Sequence, residues 1–224
     1  MIKNISNLGD AAVYCDFGVE VNKSVNSEVI KYFKALKKEN VESINNLTPS
    51  YNKLIVSYDL RKTNFKEVKK LIENLNVNET QDNNSTKIEI PVCCDDQFSL
   101  DIKRLEEKLN IKREKILENF FSKEYFCYMT GFIAGMPFLG DLEEKMRAQR
   151  LETPRVKVPK GSIGLTEQFA NIYTFESPGG WNIIGNTPLN VFDIAKEKEP
   201  NLINPGDKVK FKRISMEEYK DLNG

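Results

Sequence analysis

The chain contains no histidine among its 224 residues. This absence excludes the Ser-His-Asp and Cys-His arrangements of nucleophilic catalysis and every zinc site that uses an imidazole ligand. The four cysteines, Cys15, Cys93, Cys94 and Cys127, show no C-x-x-C spacing, so the sequence predicts neither a zinc ribbon nor a thioredoxin-type redox pair. We expect all four thiols to be reduced and packed in the interior, and we expect no metal site.

The chain also lacks net charge and a long apolar run. Lys plus Arg and Asp plus Glu both number 33, so no overall field attracts nucleic acid or anionic lipid, and a small or neutral partner is favoured. The longest charge-free segment, residues 125–140, has 16 residues, fewer than the roughly 20 needed to span a bilayer. The first ten residues lack the apolar stretch of a secretory signal. These features predict a cytoplasmic protein.

Glycine and proline are distributed unevenly along the chain. Of the 21 residues of these two types, 16 lie between positions 131 and 206, so turn-forming residues are concentrated in the C-terminal part. Residues 76–86, NVNETQDNNST, are polar and contain one apolar side chain, so this segment cannot bury itself. We therefore predict two domains, residues 1–80 and residues 86–224, and we expect limited proteolysis to cut between them first.

The first part combines two hydrophobic periodicities. Alternating side chains predict strands at residues 11–17 and 54–58, with a weaker strand at residues 41–47. Apolar spacings of three and four predict two helices, the first carrying Val25, Val29, Phe33 and Leu36 and the second Phe65, Val68, Ile72 and Leu75. Asn64, followed three residues later by Glu67, predicts the start of the second helix. This order is typical of a split β-α-β sheet with its helices on one face.

The second part begins with an alternating strand at residues 88–92. Pro91 predicts an edge position for this strand, because proline cannot donate to a ladder. Two short helices are predicted next, one carrying Ile102, Leu105 and Leu109 and the other Ile116, Leu117, Phe120 and Phe121. Short strands are then predicted at residues 125–132, 156–158, 171–175, 181–184 and 207–214. Many short strands separated by Gly/Pro turns indicate a closed barrel or a sandwich.

Four segments of the second part carry a family resemblance. They are GFIAGMPFLG (131–140), TPRVKVPKGSIGL (153–165), ESPGGWNIIGNTPL (176–189) and NPGDKVKF (204–211). They resemble motifs of the family that groups the B subunit of 5-oxoprolinase, the sporulation-kinase inhibitor KipI and the first subunit of allophanate hydrolase. The opening GDAAVYCDFG is similar to that family's first strand. The resemblance implies an α+β protein with a small ferredoxin-like N-terminal domain followed by a cyclophilin-like β-barrel.

Three positions depart from the family pattern. Ala134 stands where the family usually has proline, and Met136 stands where it has an aromatic residue. A family histidine near the second short helix is replaced, and Phe120 is the residue that we match to it. An acid-base role for that histidine is therefore not available to this chain, and proton handling falls to Glu, Asp, Lys or a partner protein.

The resemblance implies the B subunit of an ATP-dependent 5-oxoprolinase, which opens 5-oxoproline to L-glutamate together with an A subunit and a C subunit. It implies that ATP activates the amide oxygen by phosphoryl transfer before hydrolysis. The chain has no G-x-x-x-x-G-K-[ST] sequence, so ATP is expected as a cofactor of the complex. Two alternatives are a non-catalytic, KipI-like inhibitor of a sensor histidine kinase and the first subunit of allophanate hydrolase. The shared motifs do not separate these three.

Arg155 is the first candidate binding residue. It follows Thr153-Pro154 and begins a predicted strand, so its guanidinium is expected at a strand end. There it could hold a carboxylate or a phosphate in a two-pronged hydrogen bond. The alternative is a structural salt bridge to Glu152 or Glu176.

The other candidates come from the glycine-rich motifs. Residues 178–180 would let the backbone approach a ligand beside Trp181, or would form a tight hairpin with a core tryptophan. Residues 161–164 would present N–H groups to an anion or form a rim loop of the barrel. Glu176 would act as a general base or cap a turn, and three hydroxyls would donate hydrogen bonds to a substrate. The predicted binding residues are Arg155, Ser162, Glu176, Ser177, Gly179, Gly180, Trp181 and Thr187.

Overall fold

The computed structural model describes residues 1–77, 86–197 and 199–223. It divides into two compact units, Met1–Ser85 and Thr86–Gly224. Most of the polar segment at residues 76–86, on which the proteolysis prediction rests, lies outside the described residues. Two independent domains therefore stay a prediction, and the two units are described separately.

The described part of the first unit is a four-stranded antiparallel sheet with two helices. Its elements are β1 (Asn4–Asn7), β2 (Ala12–Asp16), α1 (Lys23–Glu39), β3 (Ile44–Pro49), β4 (Lys53–Tyr58) and α2 (Phe65–Glu73). The strand order is β1-β2-β4-β3. Because β2 and β3 each pair antiparallel with β4, they run parallel to each other with β4 between them. This is the predicted split β-α-β arrangement.

Both helices of this unit begin at an asparagine cap, and the cap at Asn64 confirms the predicted start of α2. Asn64 Oδ1 accepts the Glu67 N–H at 3.2 Å and starts α2, and Asn22 Oδ1 accepts the Val25 N–H at 2.9 Å and starts α1. Each bond satisfies a backbone donor that the first helical turn leaves open. The inward residues of β2 and β4 form one buried cluster with both helices, so both helices lie on one face of the sheet, as predicted.

The described part of the second unit contains a closed barrel, a two-stranded ribbon and three α-helices. Its elements are β5 (Lys87–Cys93), α3 (Ile102–Leu109), α4 (Arg113–Ser122), β6 (Glu124–Thr130), β7 (Pro137–Gly140), β8 (Arg155–Val158), β9 (Ser162–Thr166), β10 (Phe169–Ile172), β11 (Ser177–Gly179), β12 (Asn182–Asn186), β13 (Lys208–Ile214) and α5 (Met216–Asn223). The barrel order is β10-β7-β6-β13-β5-β12-β9, and β9 pairs with β10 to close it. The mixed α and β content and the closed barrel are confirmed.

The edge position predicted for β5 from Pro91 is wrong, because β5 lies between β13 and β12 in the closed barrel. It pairs in parallel with β13 along its whole length, including Pro91 opposite Lys212. On its other side it pairs with β12 only through Cys93 and Asn186. At Pro91, β5 is therefore paired with a neighbouring strand on one side only. The N–H that proline lacks is not needed for pairing on the other side.

An aromatic cluster joins α4 to the barrel. Phe120 on α4 is fully buried, and its ring stacks on Phe211 of β13 at 4.7 Å between centroids. Tyr125 of β6 lies 5.3 Å from Phe120 and donates its O–H to the Phe120 carbonyl at 2.9 Å. The position that we match to the family histidine is thus filled by a hydrophobic ring in the main core of this unit.

The structure corrects several predictions for the motif segments. Residues 161–164 were expected to form a loop or an anion nest, but Ser162 begins the buried strand β9. The sequence around Pro178 was expected to turn, but Ser177–Gly179 forms β11, which pairs with β8. The strand predicted at residues 41–47 runs instead from Ile44 to Pro49. In the first two cases pairing with a neighbouring strand overrides the local turn signal, and in the third the strand is confirmed with shifted bounds.

In the described part of the chain, no helix combines the length and the apolar character that crossing a bilayer requires.

Candidate functional site

A partly buried ion pair joins the strand β8 to the start of α3. Arg155 Nη2 donates to Asp101 Oδ1 at 2.5 Å. The Asp101 side chain is 5% exposed and that of Arg155 is 28% exposed. The partner of Arg155 is therefore neither Glu152 nor Glu176, which were the expected alternatives.

Asp101 stands at the N-cap position of α3 without capping it. Its side chain makes no hydrogen bond to the first turn of the helix. Instead, Asp101 Oδ2 accepts the Ile183 N–H at 2.7 Å, and the Asp101 N–H donates to the Ile183 carbonyl at 2.9 Å. Asp101 thus ties the start of α3 to the barrel strand β12 and fixes the position of the Arg155 guanidinium.

Two shielded polar atoms of the two-stranded ribbon lack a partner among the described residues. They are Arg155 Nη1 and Ser177 Oγ. Arg155 lies on β8 opposite Gly179 of β11, and Ser177 lies opposite Val158, farther along the ribbon. A buried polar group without a hydrogen bond is costly, so an additional acceptor would be stabilised at the Arg155 guanidinium.

Tyr173 connects the motif segments to one another. Its N–H donates to the Ser162 carbonyl at 2.9 Å, and its carbonyl accepts the Gly161 N–H at 2.7 Å. Burial raises the pKa of the Tyr173 phenol, while hydrogen bonds with Asn171 and the Trp181 backbone, and the charge of Arg155, oppose that rise. The group is therefore a neutral phenol at physiological pH.

The glycines of the motifs make room for this tyrosine. A Cβ at Gly179 would lie 2.2 Å from Tyr173 Oη. A Cβ at Gly164 would first meet Asn171 Oδ1 at 2.5 Å and Trp181 Cβ at 2.9 Å, with the edge of the Tyr173 ring at 3.3 Å. Gly180 is different, since the nearest atoms to a Cβ there, Leu151 O and Pro154 Cγ, lie at 3.6 Å. The Gly179 position thus needs glycine for packing, while Gly180 has ordinary van der Waals space.

We expect Gly179→Ala to lower the free energy of unfolding by about 2 kcal/mol, because the added methyl group overpacks a buried site. Tyr173 is only 1% exposed, so its ring has little room to move away. Urea denaturation of the purified chain, followed by circular dichroism, measures this change.

The matched control is Gly180→Ala, which adds the same methyl group one residue away. Its expected change lies within about 0.5 kcal/mol. Equal destabilisation by both variants would contradict the assignment of Gly179 to the Tyr173 contact.

Ser162 and Thr187 lie together at the ends of β9 and β12, where Asn186 pairs with Ser162. They are 2% and 3% exposed. The Thr187 N–H donates to the Gly161 carbonyl at 2.9 Å, and Thr187 Oγ1 accepts the Leu189 N–H at 3.3 Å. The Gly161 N–H is itself used by Tyr173. Residues 161–164 therefore lead into a buried strand and do not form the anion nest that the sequence analysis considered.

Glu176 and Trp181 lie at the surface of the motif region. Glu176 is 55% exposed and pairs with Lys157 at 3.0 Å. Trp181 is half-buried, and its ring meets Phe138 edge to face at 5.5 Å. The structure brings Arg155, Gly179 and Trp181 together around Tyr173, whereas Glu176 is paired outside this group.

Burial keeps three of the four thiols in their unreactive form. All four cysteines are free and buried, which confirms the expectation of packed thiols. Burial raises the pKa of Cys15 and of Cys94 to about 12 and raises that of Cys127 further, so these thiols stay protonated. No three Cys, Asp or Glu side chains in the described ranges are grouped closely enough to hold a metal ion. The arrangement can bind and position a ligand, and no covalent chemistry is assigned to it.

Sequence reasoning missed Asp101 and Tyr173. Asp101 is separated from Arg155 by 54 positions in the chain, and before a helix it reads as an ordinary cap. Tyr173 lies within the strand predicted at residues 171–175, and no role was predicted for its side chain. The sequence carried only an indirect signal for Tyr173. Glycines at positions 164 and 179 indicate that a large side chain packs close by, but they do not show which residue it belongs to.

Fold and site together define a two-unit protein of mixed α and β content, in which Asp101 holds the Arg155 guanidinium against a strand of a seven-stranded barrel. Residues 3–203 match the family model described as carboxyltransferase domain, subdomain C and D. The chain belongs to this family.

Similar proteins agree with this assignment. The chain is 32% identical to the B subunit of 5-oxoprolinase from Bacillus subtilis, over 96% of this chain and 94% of that protein. It is also 32% identical to the B subunit of 5-oxoprolinase from Haemophilus influenzae, over 93% and 96%. These relatives confirm the family that the motifs predicted from sequence.

The crystal structure of TTHA0988 superposes with a TM-score of 0.83 at 28% identity, covering 92% of this chain. This chain spans 40% of the length of TTHA0988.

Proposed function

We propose that the chain is the B subunit of an ATP-dependent 5-oxoprolinase that opens 5-oxoproline to L-glutamate together with an A subunit and a C subunit. The observation that carries the proposal is the nearly full-length similarity to proteins named as the B subunit of 5-oxoprolinase, at 32% identity over 94% of one of them. Their name makes them parts of a larger enzyme, and this chain matches them over almost its whole length.

The contents of the described barrel fit a supporting role in such a complex. Opening an unactivated lactam needs coupling to ATP, and this chain offers neither a nucleotide motif nor an accessible thiol. We therefore assign phosphoryl transfer and hydrolysis to the partner proteins, with this barrel forming one wall of a shared site. Arg155 would orient a substrate carboxylate or phosphate, because Nη1 has no partner among the described residues. Ser177, whose Oγ has no partner among the described residues, would contribute a hydrogen bond at that wall. Ser162 and Thr187, which are 2% and 3% exposed, would support the wall from the interior of the barrel.

We propose further that the first unit is ferredoxin-like, with β1 taking the edge position beside β2, and that the barrel is cyclophilin-like. The sheet order β1-β2-β4-β3 and the two helices on one face support the first assignment. Four free, buried cysteines support a reducing compartment, the cytoplasm.

The decisive experiment mixes this chain with the purified A and C subunits and measures ATP hydrolysis that depends on 5-oxoproline. We expect turnover only when all three are present. Arg155→Lys retains the positive charge but loses the planar fork, so it is expected to lower this turnover more than about tenfold while the melting temperature stays within a few degrees.

Measurements of substrate turnover and of kinase inhibition distinguish the 5-oxoprolinase interpretation from the two alternatives. Turnover with allophanate and none with 5-oxoproline would support the allophanate hydrolase interpretation. Inhibition of a sensor kinase, with no turnover of either substrate, would support the KipI-like regulator. A large fall in melting temperature for Arg155→Lys would assign Arg155 to structure alone.

A further inference from the structure

Tyr173 is a buried polar side chain to which the proposed function gives no role. It follows β10 directly and is 1% exposed. It belongs to a small buried cluster with Met136, Val158 of the ribbon strand β8 and Ile183 of the barrel strand β12. Tyr173 brings a hydroxyl into this otherwise apolar cluster, and a buried hydroxyl needs hydrogen-bond partners.

The hydroxyl of Tyr173 reaches the ribbon strand β11. A Cβ added at Gly179 would lie 2.2 Å from Tyr173 Oη, so the phenol contacts the backbone of β11 at this residue. Gly179 is the residue that pairs with Arg155 of β8. The positive charge of Arg155 also acts on the Tyr173 phenol. The hydroxyl therefore lies at the point of the ribbon where Arg155 is paired.

Two hydrogen bonds fix the direction of this hydroxyl. Bonds from Asn171 and from the Trp181 backbone both lower the pKa of the phenol against the effect of burial, and a hydrogen bond does so when it is donated to the phenol oxygen. Asn171 is fully buried, and its Oδ1 accepts the Gly164 N–H at 3.1 Å, so the donor to Tyr173 is its amide N–H. The Tyr173 oxygen thus ties the interior of the barrel to the backbone of Trp181.

The residues that Tyr173 contacts lie beside the group to which the proposed function assigns substrate binding. We propose that Tyr173 is a positioning residue of the shared site, whose hydroxyl holds the segment from Gly179 to Trp181 in register with Arg155. This inference rests on the proposed function. Because Tyr173 is 1% exposed, it acts through these residues and not by contact with the substrate.

The chemistry of 5-oxoproline predicts which kinetic constant this positioning controls. Its carboxylate is separate from the lactam bond that opens, so a residue that holds the carboxylate contributes equally to binding before and during bond opening. Displacing Arg155 therefore raises KM and leaves kcat nearly unchanged. A purely structural role for Tyr173 would lower the melting temperature without changing KM.

The test uses Tyr173→Phe, which keeps the ring and removes the hydroxyl. The variant is combined with the A and C subunits, and steady-state turnover is measured over a range of 5-oxoproline concentrations. We expect KM to rise by about fivefold or more, because the hydrogen bonds that hold the segment are lost. We expect kcat to stay within about twofold and the melting temperature of the isolated chain to fall by a few degrees at most.

Trp181 provides a second readout that does not need the other subunits. It is the only tryptophan in the sequence, so the tryptophan emission of the isolated chain reports on its surroundings alone. In Tyr173→Phe the Trp181 N–H loses its acceptor. We therefore expect the emission maximum to move to longer wavelength and acrylamide to quench the emission more strongly than in the wild type.

Tyr125→Phe is the matched control within the same unit. Tyr125 is also 1% exposed, and its O–H donates to the Phe120 carbonyl at 2.9 Å, so this variant likewise loses one buried hydroxyl. Its KM and its Trp181 emission should equal those of the wild type.

Three outcomes would overturn the proposal. An unchanged KM for Tyr173→Phe, with or without a change in Trp181 emission, would leave the hydroxyl with a structural role only, while the proposed function would stand. Equal changes in Tyr173→Phe and Tyr125→Phe would assign the effect to general loosening of the barrel. A wild-type complex without turnover of 5-oxoproline would overturn the proposed function and the positioning role together.

Discussion

Replacing Asp101 with alanine is expected to lower the free energy of unfolding by about 3 kcal/mol. The substitution leaves the Arg155 guanidinium without its counterion and the Ile183 N–H without its acceptor. Removing one partner of a buried pair costs more than the pair itself contributes, because the remaining charge stays poorly solvated. Since Arg155 is 28% exposed, we place the effect at the lower end for such pairs. Equilibrium urea denaturation of the isolated chain measures it.

The control is the double variant Asp101→Ala with Arg155→Met. Removing both charges eliminates the unpaired guanidinium, so most of the lost stability is expected to return. The lost Ile183 hydrogen bond should account for the remainder, about 1 kcal/mol. A single Asp101→Ala variant that loses less than about 1 kcal/mol would show that water screens the pair, and Asp101 would then have no positioning role.

Introducing a histidine by Phe120→His is expected to lower the free energy of unfolding by about 3 kcal/mol at pH 8. Phe120 is fully buried among Phe121, Tyr125 and Phe211. An imidazole there forfeits ring contacts and brings a polar group into an apolar core. The family histidine is therefore incompatible with this aromatic cluster as it stands.

The same variant should also become sensitive to pH. Burial lowers the pKa of the introduced imidazole in the folded state below its value of about 6.5 in the unfolded chain. Below about pH 6.5 the unfolded state binds more protons, so stability should fall further between pH 7 and pH 5. Thermal melts of Phe120→His across that range, compared with the wild type, measure the difference.

Phe121→His is the matched control for this substitution. Phe121 is only partly buried at the margin of the same core, so its imidazole can reach water, and a loss of about 1 kcal/mol with little pH dependence is expected. Similar losses and similar pH profiles for the two variants would contradict the burial argument at Phe120.

Local signals in the sequence predicted the helices well. Apolar spacings of three and four identified α1 and α2, and the polar residue Asn64 identified where α2 begins. Helical contacts reach only three or four residues along the chain, so the information that forms a helix lies within the segment itself. The alternation in β2, β4 and β5 was equally visible because each of these strands has one buried face.

Other strands could not be found this way. The segment Asn4–Asn7 is polar, and it becomes β1 through pairing with β2, where Asn4 lies opposite Asp16. Ser162–Thr166 and Ser177–Gly179 contain glycine or proline that favour turns, yet both pair with neighbours. Their conformation is decided by which strands stand beside them.

The sequence by itself determined the chemical character of this protein. The absence of histidine, the balanced charge and the absence of C-x-x-C spacing excluded whole classes of protein, and the ordered motifs identified the family. The tertiary structure alone decided which groups meet. Asp101 reaches Arg155 across 54 positions, and Tyr173 fills the space that Gly179 leaves. Such contacts depend on how the chain closes the barrel, since they join segments that share no local pattern.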